Sequence, residues 1–113
     1  MNTELLFSYG TLQLPEVQRS TFGREPDGRP DAIIGYDLDY VTITDPHVVA
    51  VSGSDRHPIL RPSGAHDAAV PGTVFAISTA ELAAADEYEV DAYRRISVPL
   101  RSGAQAWVYV FAG

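Results

Sequence analysis

Apolar residues fall mainly into short runs rich in β-branched and aromatic side chains, separated by stretches that contain Gly and Pro. Such runs predict strands bounded by turns. The predicted strands are residues 4–9, 32–44, 70–77, 93–100 and 105–111, with short extended pieces at 48–51 and 59–60. Gly35 is expected to bend the second strand, and Pro71-Gly72 to interrupt the third. Residues 24–30 and 52–67 are expected to be mostly loop.

Residues 78–90 form the clearest predicted helix. Ser78 followed by Glu81 predicts a capping box, in which each side chain accepts a hydrogen bond from the other residue's free backbone N–H. The alanine-rich run at 81–85 has high helix propensity. Pro15 and Gly23 delimit a second stretch, residues 15–22, of one or two helical turns.

The predicted strands follow one another through turns and not through helical crossovers. This order favours an α+β, mostly β fold: an antiparallel sheet curled into a small closed or partly open β-barrel of about six strands, with one main helix packed on it. A doubly wound sheet is disfavoured because strands and helices do not alternate. A chain of 113 residues fits one domain, expected to span residues 1–113.

The composition excludes several kinds of chemistry. Without cysteine, the chain has no disulfides, no thiolate zinc ligands and no cysteine nucleophile. All eight basic residues are arginine, so a Schiff-base lysine is excluded. His47, His57 and His66 are too far apart in sequence to form a paired ligand motif, and a metal site is not expected.

Charge and hydropathy limit the partners. The net charge is -7 and the arginines are scattered, which argues against a nucleic-acid partner. No apolar run approaches the ~20 residues that a membrane span needs, and no basic targeting segment begins the chain. A soluble, cytoplasmic protein is therefore expected, while the choice between monomer and dimer stays open.

Glu89 is the most informative candidate for chemistry. On a helical wheel it falls within about 60° of Leu82, as does Ala85, so it shares the apolar stripe of the helix. Desolvation there, together with the helix C-terminus, raises a carboxyl pKa toward the range of a general base near neutrality. The alternative is a frayed last turn with Glu89 solvated, and geometry alone leaves both open.

A second candidate is the turn at residues 8–12, Ser-Tyr-Gly-Thr-Leu. A strand that ends in Gly can bend sharply and leave successive backbone amides pointing into a cavity, where they bind a carboxylate or an oxyanion. An ordinary strand-ending turn is the alternative. Tyr93 follows Glu89 closely enough for its hydroxyl to reach the same site, whereas Tyr109 on the last strand is by default a core or barrel-lining residue.

Taken in their order along the chain, several motifs resemble those of the gamma-glutamylcyclotransferase-like superfamily. The resemblance lies in residues 6–12 (LFSYGTL), 70–75 (VPGTVF), 86–89 (DEYE), 93–95 (YRR) and 106–109 (AWVY). Two positions depart from the family pattern: Ala85 stands where the family has Leu, and Val90 where it has Gly.

The resemblance implies a compact barrel and a cofactor-free reaction on a small-molecule gamma-glutamyl substrate. The substrate's α-amino group attacks its own γ-carbonyl, forming 5-oxoproline and releasing an amine. Glu89 stands at the position of the acid/base residue. Tyr9, Gly10, Thr11, Leu12, Tyr93 and Tyr109 stand at substrate-binding positions. The identity of the leaving amine stays open. Two other hypotheses also stay open: a non-catalytic binding module of the same fold, and an interaction domain with a filled barrel.

Overall fold

The computed structural model describes residues 3–42, 56–65, 67–89 and 93–111, without the side chains of Val41, Arg56 and His57. These ranges hold seven strands: β1 (Thr3–Ser8), β2 (Gly28–Ile34), β3 (Tyr36–Thr42), β4 (Arg56–Pro62), β5 (Ala69–Ser78), β6 (Tyr93–Pro99) and β7 (Gln105–Phe111). They also hold helices α1 (Pro15–Phe22) and α2 (Thr79–Tyr88) and a 3-10 turn at Thr11–Gln13. The piece predicted at residues 48–51 lies outside the described ranges.

Five of the strands form one mixed sheet in the order β2-β5-β1-β7-β6. Strand β5 runs antiparallel to β2 and to β1, and β6 runs antiparallel to β7. Strands β1 and β7 are parallel, so the antiparallel sheet expected from the order of the strands is wrong at its centre. Because β1 is the central strand, the chain that follows Ser8 emerges between β5 and β7. This places the turn at residues 9–12 over the end of the sheet.

The predicted barrel is not confirmed, because the described strands leave the sheet open. Its edge strand β2 meets the chain after β6 at an isolated bridge between Ile33 and Leu100. The predicted second strand is interrupted at Gly35, whose φ of 86° is in the left-handed region that favours glycine. The predicted strand at 32–44 therefore divides into β2 and β3. Strand β3 pairs with β4 in a separate antiparallel ribbon, called the β3–β4 ribbon below.

Two segments rich in Pro and Gly are more regular than their composition predicts. Strand β4 lies in the segment 52–67 that was expected to be mostly loop, and it is an edge strand, where Pro58 needs no ladder N–H. Strand β5 is continuous through Pro71 and Gly72, so the predicted interruption is wrong. Pro71 is tolerated because the β1 ladder ends at the Ser8–Thr73 pair, so at Pro71 β5 pairs with β2 alone.

The core lies on both faces of the sheet, as the alternation of strand side chains requires. Phe7 belongs to the cluster on one face, with Val74, Val108 and Leu60 of the β3–β4 ribbon. The other face packs against α1 and α2. Its buried residues are Leu6, Leu12, Val17, Phe75, Ile77, Leu82, Ala85 and Tyr109. The fold is thus α+β and mostly β, with the helices gathered on one face.

Both helices occur where the sequence predicts them. The capping box that starts α2 is confirmed: Glu81 N donates to Ser78 Oγ at 3.1 Å, and Ser78 N donates to Glu81 Oε1 at 2.8 Å. Arg24 donates two further hydrogen bonds to Glu81. These bonds, followed by the hydrogen bond from Ser78, lower the pKa of Glu81 to about 2. Of the described helices, neither has the length and apolar character that crossing a membrane requires.

Candidate active site

A small cavity lies where the end of β1 meets the end of α2. Its volume is about 40 Å³, room for roughly three water-sized groups. The lining residues are Phe7, Ser8, Tyr9, Gly10, Thr11, Leu12, Pro58, Glu89, Tyr93 and Tyr109. The structure therefore brings together all seven residues singled out from the sequence, including Tyr109, whose default assignment was to the core.

The turn after β1 contributes Tyr9, Gly10, Thr11 and Leu12 to the lining of this cavity. The 3-10 turn closes through hydrogen bonds from Gln13 N to Gly10 O at 3.1 Å and from Leu14 N to Thr11 O at 2.9 Å. The backbone amides of Thr11 and Leu12 have no acceptor within the described ranges, as is usual for the first amides of a helical turn. Such amides are available to an anionic group of a ligand.

Two glutamine side chains hold carbonyl groups of this turn. Gln13 Nε2 donates to Gly10 O at 3.2 Å, and Gln13 Oε1 accepts from Thr73 Oγ1 of β5 at 3.1 Å. The buried Gln18 of α1 donates from Nε2 to Leu12 O at 2.8 Å. The carbonyl and the N–H of one peptide point in opposite directions, so holding Gly10 O also holds the direction of the Thr11 N–H.

The turn is tied directly to the helix that carries Glu89. Thr11 Oγ1 and the Tyr88 hydroxyl lie 2.6 Å apart and share a hydrogen bond. Pro58 closes the opposite side: a Cβ on Gly10 would lie 3.2 Å from Pro58 Cγ, tighter than ordinary contact. Glycine at this position therefore lets the β3–β4 ribbon approach the turn.

Glu89 is the C-terminal cap of α2, with extended backbone (φ -72°, ψ 142°) and its N–H bonded to Ala85 O at 3.0 Å. Its helical neighbours Leu82 and Ala85 are buried, as the wheel predicts. The residue is half-buried and lines the cavity, which favours the apolar-face interpretation over the solvated alternative. Burial, followed by the negative charge of Asp86, raises the pKa of Glu89 to about 7. Its successor Val90 lies outside the described residues.

Three tyrosines complete the wall. Tyr9 donates its hydroxyl to Tyr109 O at 2.6 Å, Tyr93 to Pro58 O at 2.9 Å, and Tyr109 to Asp86 Oδ1 at 2.8 Å. Burial is the main cause that raises the pKa of each phenol above its ordinary value, so all three remain neutral donors. Among the described residues the lining contains one acid, Glu89, and no basic side chain.

Sequence reasoning missed several residues of this site. Gln13 and Gln18 carry no motif, and their importance depends on where the carbonyls of the turn point. Pro58 lay in a segment expected to be loop. Asp86 belongs to the motif at residues 86–89 without an assigned role, yet its hydrogen bond to Tyr109 joins α2 to β7 across 23 residues of chain.

The raised pKa makes the stability of the fold depend on pH through Glu89. Its folded pKa of about 7 exceeds the reference value of 4.5. The stabilising contribution of the bound proton is therefore complete below about pH 4.5 and is lost as the pH rises through about 7. We expect Glu89→Gln to increase the free energy of unfolding at pH 8 by about 1–3 kcal/mol, relative to its effect at pH 4.5. Denaturant titrations of both proteins at the two pH values measure this, and an equal effect at both would contradict it.

Comparisons with known proteins agree with this architecture. A family model described as "Gamma-glutamyl cyclotransferase, AIG2-like" matches residues 6–113. No curated protein matches the chain. A solution structure of a protein from Arabidopsis thaliana is similar, with a TM-score of 0.76, 23% identity and coverage of 98% of this chain. The present chain spans 63% of the length of that protein.

Two further solved structures share the fold. A protein named gamma-glutamyl cyclotransferase has a TM-score of 0.76 and 16% identity, with 99% of this chain and 68% of that chain covered. A uropathogenic E. coli-specific protein has a TM-score of 0.67 and 21% identity, with 100% of this chain and 82% of that chain covered. At these identities the likeness shows the fold.

Proposed function

Since the chain belongs to the gamma-glutamyl cyclotransferase, AIG2-like family, we propose that it converts a gamma-glutamyl amine or gamma-glutamyl amino acid into 5-oxoproline and a free amine. Membership supports a cyclotransferase-type function, and the substrate and the reaction are our proposal. The observation that carries it is the cavity that Glu89 lines together with the turn, whose Thr11 and Leu12 amides have no acceptor among the described residues.

Substrate binding uses the two ends of the cavity. The glutamyl part enters, and its anionic group accepts hydrogen bonds from the amides of Thr11 and Leu12, since the described lining offers no basic side chain. The α-ammonium then lies toward Glu89 and the tyrosine rings, where a cation is favoured by the carboxylate and by the aromatic faces. The cavity of about 40 Å³ is small, so the leaving amine extends out of it.

Glu89 moves the protons of the reaction. Its carboxylate takes one proton from the α-ammonium, and the neutral amine attacks the γ-carbonyl carbon to form the new C–N bond. The carbonyl electron pair moves to oxygen and returns as the old amide C–N bond breaks, while Glu89 gives its proton to the leaving nitrogen. The new ring nitrogen gives up its second proton to the same carboxylate, which passes it to the released amine. The amine therefore leaves as an ammonium ion.

The protein's main contribution is orientation. The attack is intramolecular and closes a five-membered ring, so a held geometry removes most of the entropic barrier. A base with a pKa of about 7 suits both halves of the proton transfer near neutral pH, because it accepts and donates with comparable ease. The mechanism requires no cofactor or metal.

The direct experiment is a 5-oxoproline release assay on a panel of gamma-glutamyl amines and gamma-glutamyl amino acids. Release from at least one member supports the proposal and begins to name the leaving group. If the folded protein releases 5-oxoproline from none, the proposed activity fails. Measured binding of the same compounds without turnover would then favour the non-catalytic binding module.

The bond between Thr11 and Tyr88 gives a second prediction. In Tyr88→Phe the turn loses its tie to α2, and we expect KM to rise about 3–10-fold with a smaller change in kcat, the equivalent of about 1 kcal/mol for one hydrogen bond. Thr11→Val removes the same bond from the other side. The double variant should be little worse than either single one. Fully additive effects in kcat/KM would show that the bond does not act as a unit.

A further inference from the structure

Asp86 lies one helical turn before Glu89 on α2 and binds two side chains from neighbouring strands. Its Oδ1 accepts from Tyr109 of β7 and from Arg95 Nε of β6, each at 2.8 Å. Its Oδ2 accepts from Arg95 Nη2 at 3.0 Å. The paired bonds to Arg95 fix the orientation of the carboxylate. Asp86 thereby joins the last turn of α2 to both strands of the β6–β7 hairpin.

One of these partners leads back to the cavity. Tyr109 lines it, and the Tyr109 carbonyl accepts from the hydroxyl of Tyr9, which also lines it. Arg95 is itself held by Trp107, since its guanidinium carbon lies 4.4 Å from the ring centroid. Asp86 is not among the lining residues. We propose that Asp86 is a positioning residue, which holds Tyr109 in the cavity wall and acts on Glu89 from one helical turn away without touching the substrate.

The charges around Glu89 explain how Asp86 can act at a distance. The hydroxyl groups of Tyr9, Tyr88, Tyr93 and Tyr109 are neutral, with burial the main cause that raises each pKa. Among the described residues, the charge that acts on Glu89 is that of Asp86, whose carboxylate favours the protonated form of Glu89. Arg95 forms an ion pair with Asp86, and its guanidinium partly offsets the negative charge of that carboxylate. Removing the charge of either partner therefore changes the net charge near Glu89.

This inference rests on the proposed function, in which Glu89 must accept a proton near neutral pH. The test reads the proton directly: a ¹³C NMR titration of the Glu89 side-chain carboxyl in the wild type and in variants. Asp86→Asn keeps the shape and an acceptor oxygen but removes the charge. We expect its Glu89 titration midpoint to fall by about 0.5–1 pH unit, a modest shift because the Asp86 and Arg95 side chains are 40% and 27% exposed.

Arg95→Gln provides the opposite sign and a second route if Asp86→Asn does not fold. Removal of the guanidinium leaves the Asp86 charge uncompensated, so the Glu89 midpoint should rise. Glu87→Gln is the matched control, since Glu87 is an exposed carboxylate on the same helix. It removes one negative charge near Glu89 and should leave the midpoint within about 0.2 pH unit, because exposed charges are screened.

An unchanged midpoint in Asp86→Asn, or an equal fall in Glu87→Gln, would overturn the proposal. So would a fall in Arg95→Gln. The acid limb of the pH profile of 5-oxoproline release, measured on the same variants, should move with the midpoints. If the midpoints move as expected and no variant releases 5-oxoproline, the proposed activity fails while the positioning role of Asp86 stands.

Discussion

Glu89→Gln is expected to lose 5-oxoproline release while the protein stays folded. Glutamine nearly matches glutamate in shape, so Leu82 and Ala85 keep their packing in the core. It cannot accept the proton of the α-ammonium, and removal of a general acid/base lowers turnover by typically 10²–10⁴-fold. Because the amide still fills the same space, KM should change less than kcat. Initial rates of 5-oxoproline release with the best substrate of the panel measure both constants.

Two companion variants show whether the loss comes from the proton transfer. Glu89→Asp retains a carboxylate that is one methylene farther from the cavity, and should keep a measurable fraction of turnover. Glu87→Gln removes an exposed carboxylate of the same helix and should leave kcat unchanged. Full activity in Glu89→Gln would remove Glu89 from the mechanism. A loss of equal size in Glu87→Gln would point to a general effect of charge.

The parts of this site that are local in sequence could be predicted from it. Glu89 shares a stripe with Leu82 and Ala85, and the capping box at Ser78 fixes the phase of the helix, so spacing places Glu89 at the buried side of the helix end, where its extended backbone ends the helix. The turn at residues 9–12 is marked by Gly10 directly after a buried strand. In both cases a few consecutive residues carry the whole signal.

The parts that depend on distant contacts could not be predicted. The segment around Pro58 reads as loop, and it becomes a strand because β3 offers it a partner. Gln18 matters because the Leu12 carbonyl lies within reach of its side chain, a fact of three-dimensional packing. The predicted strand at 32–44 divides for a related reason: glycine can bend a strand or break it, and the sequence around Gly35 does not say which.

Gly72→Ala is expected to destabilise the fold strongly, by more than a substitution at an exposed position of the chain. A Cβ at this position would lie 2.3 Å from Ser8 O and 2.7 Å from Phe7 Cζ. The first of these atoms is backbone, in the last residue of the central strand, and cannot rotate away. Strands β1 and β5 must therefore separate locally. Overpacking typically costs about 1–3 kcal/mol, and the rigid backbone contact places Gly72→Ala near the upper end, at about 3 kcal/mol. Thermal unfolding should show a midpoint lower by roughly 10–20 °C.

The same contact links the stability of the sheet to the proposed site. Ser8 lines the cavity and its Oγ accepts from Gly10 N at 3.3 Å, so a displaced Ser8 moves the turn that carries the free amides. Below its unfolding temperature, Gly72→Ala should therefore also show a raised KM for the best substrate. Gly64→Ala is the matched control, because a Cβ there meets nothing within 4 Å. Equal midpoints for the two variants would show that β1 and β5 can separate at no cost.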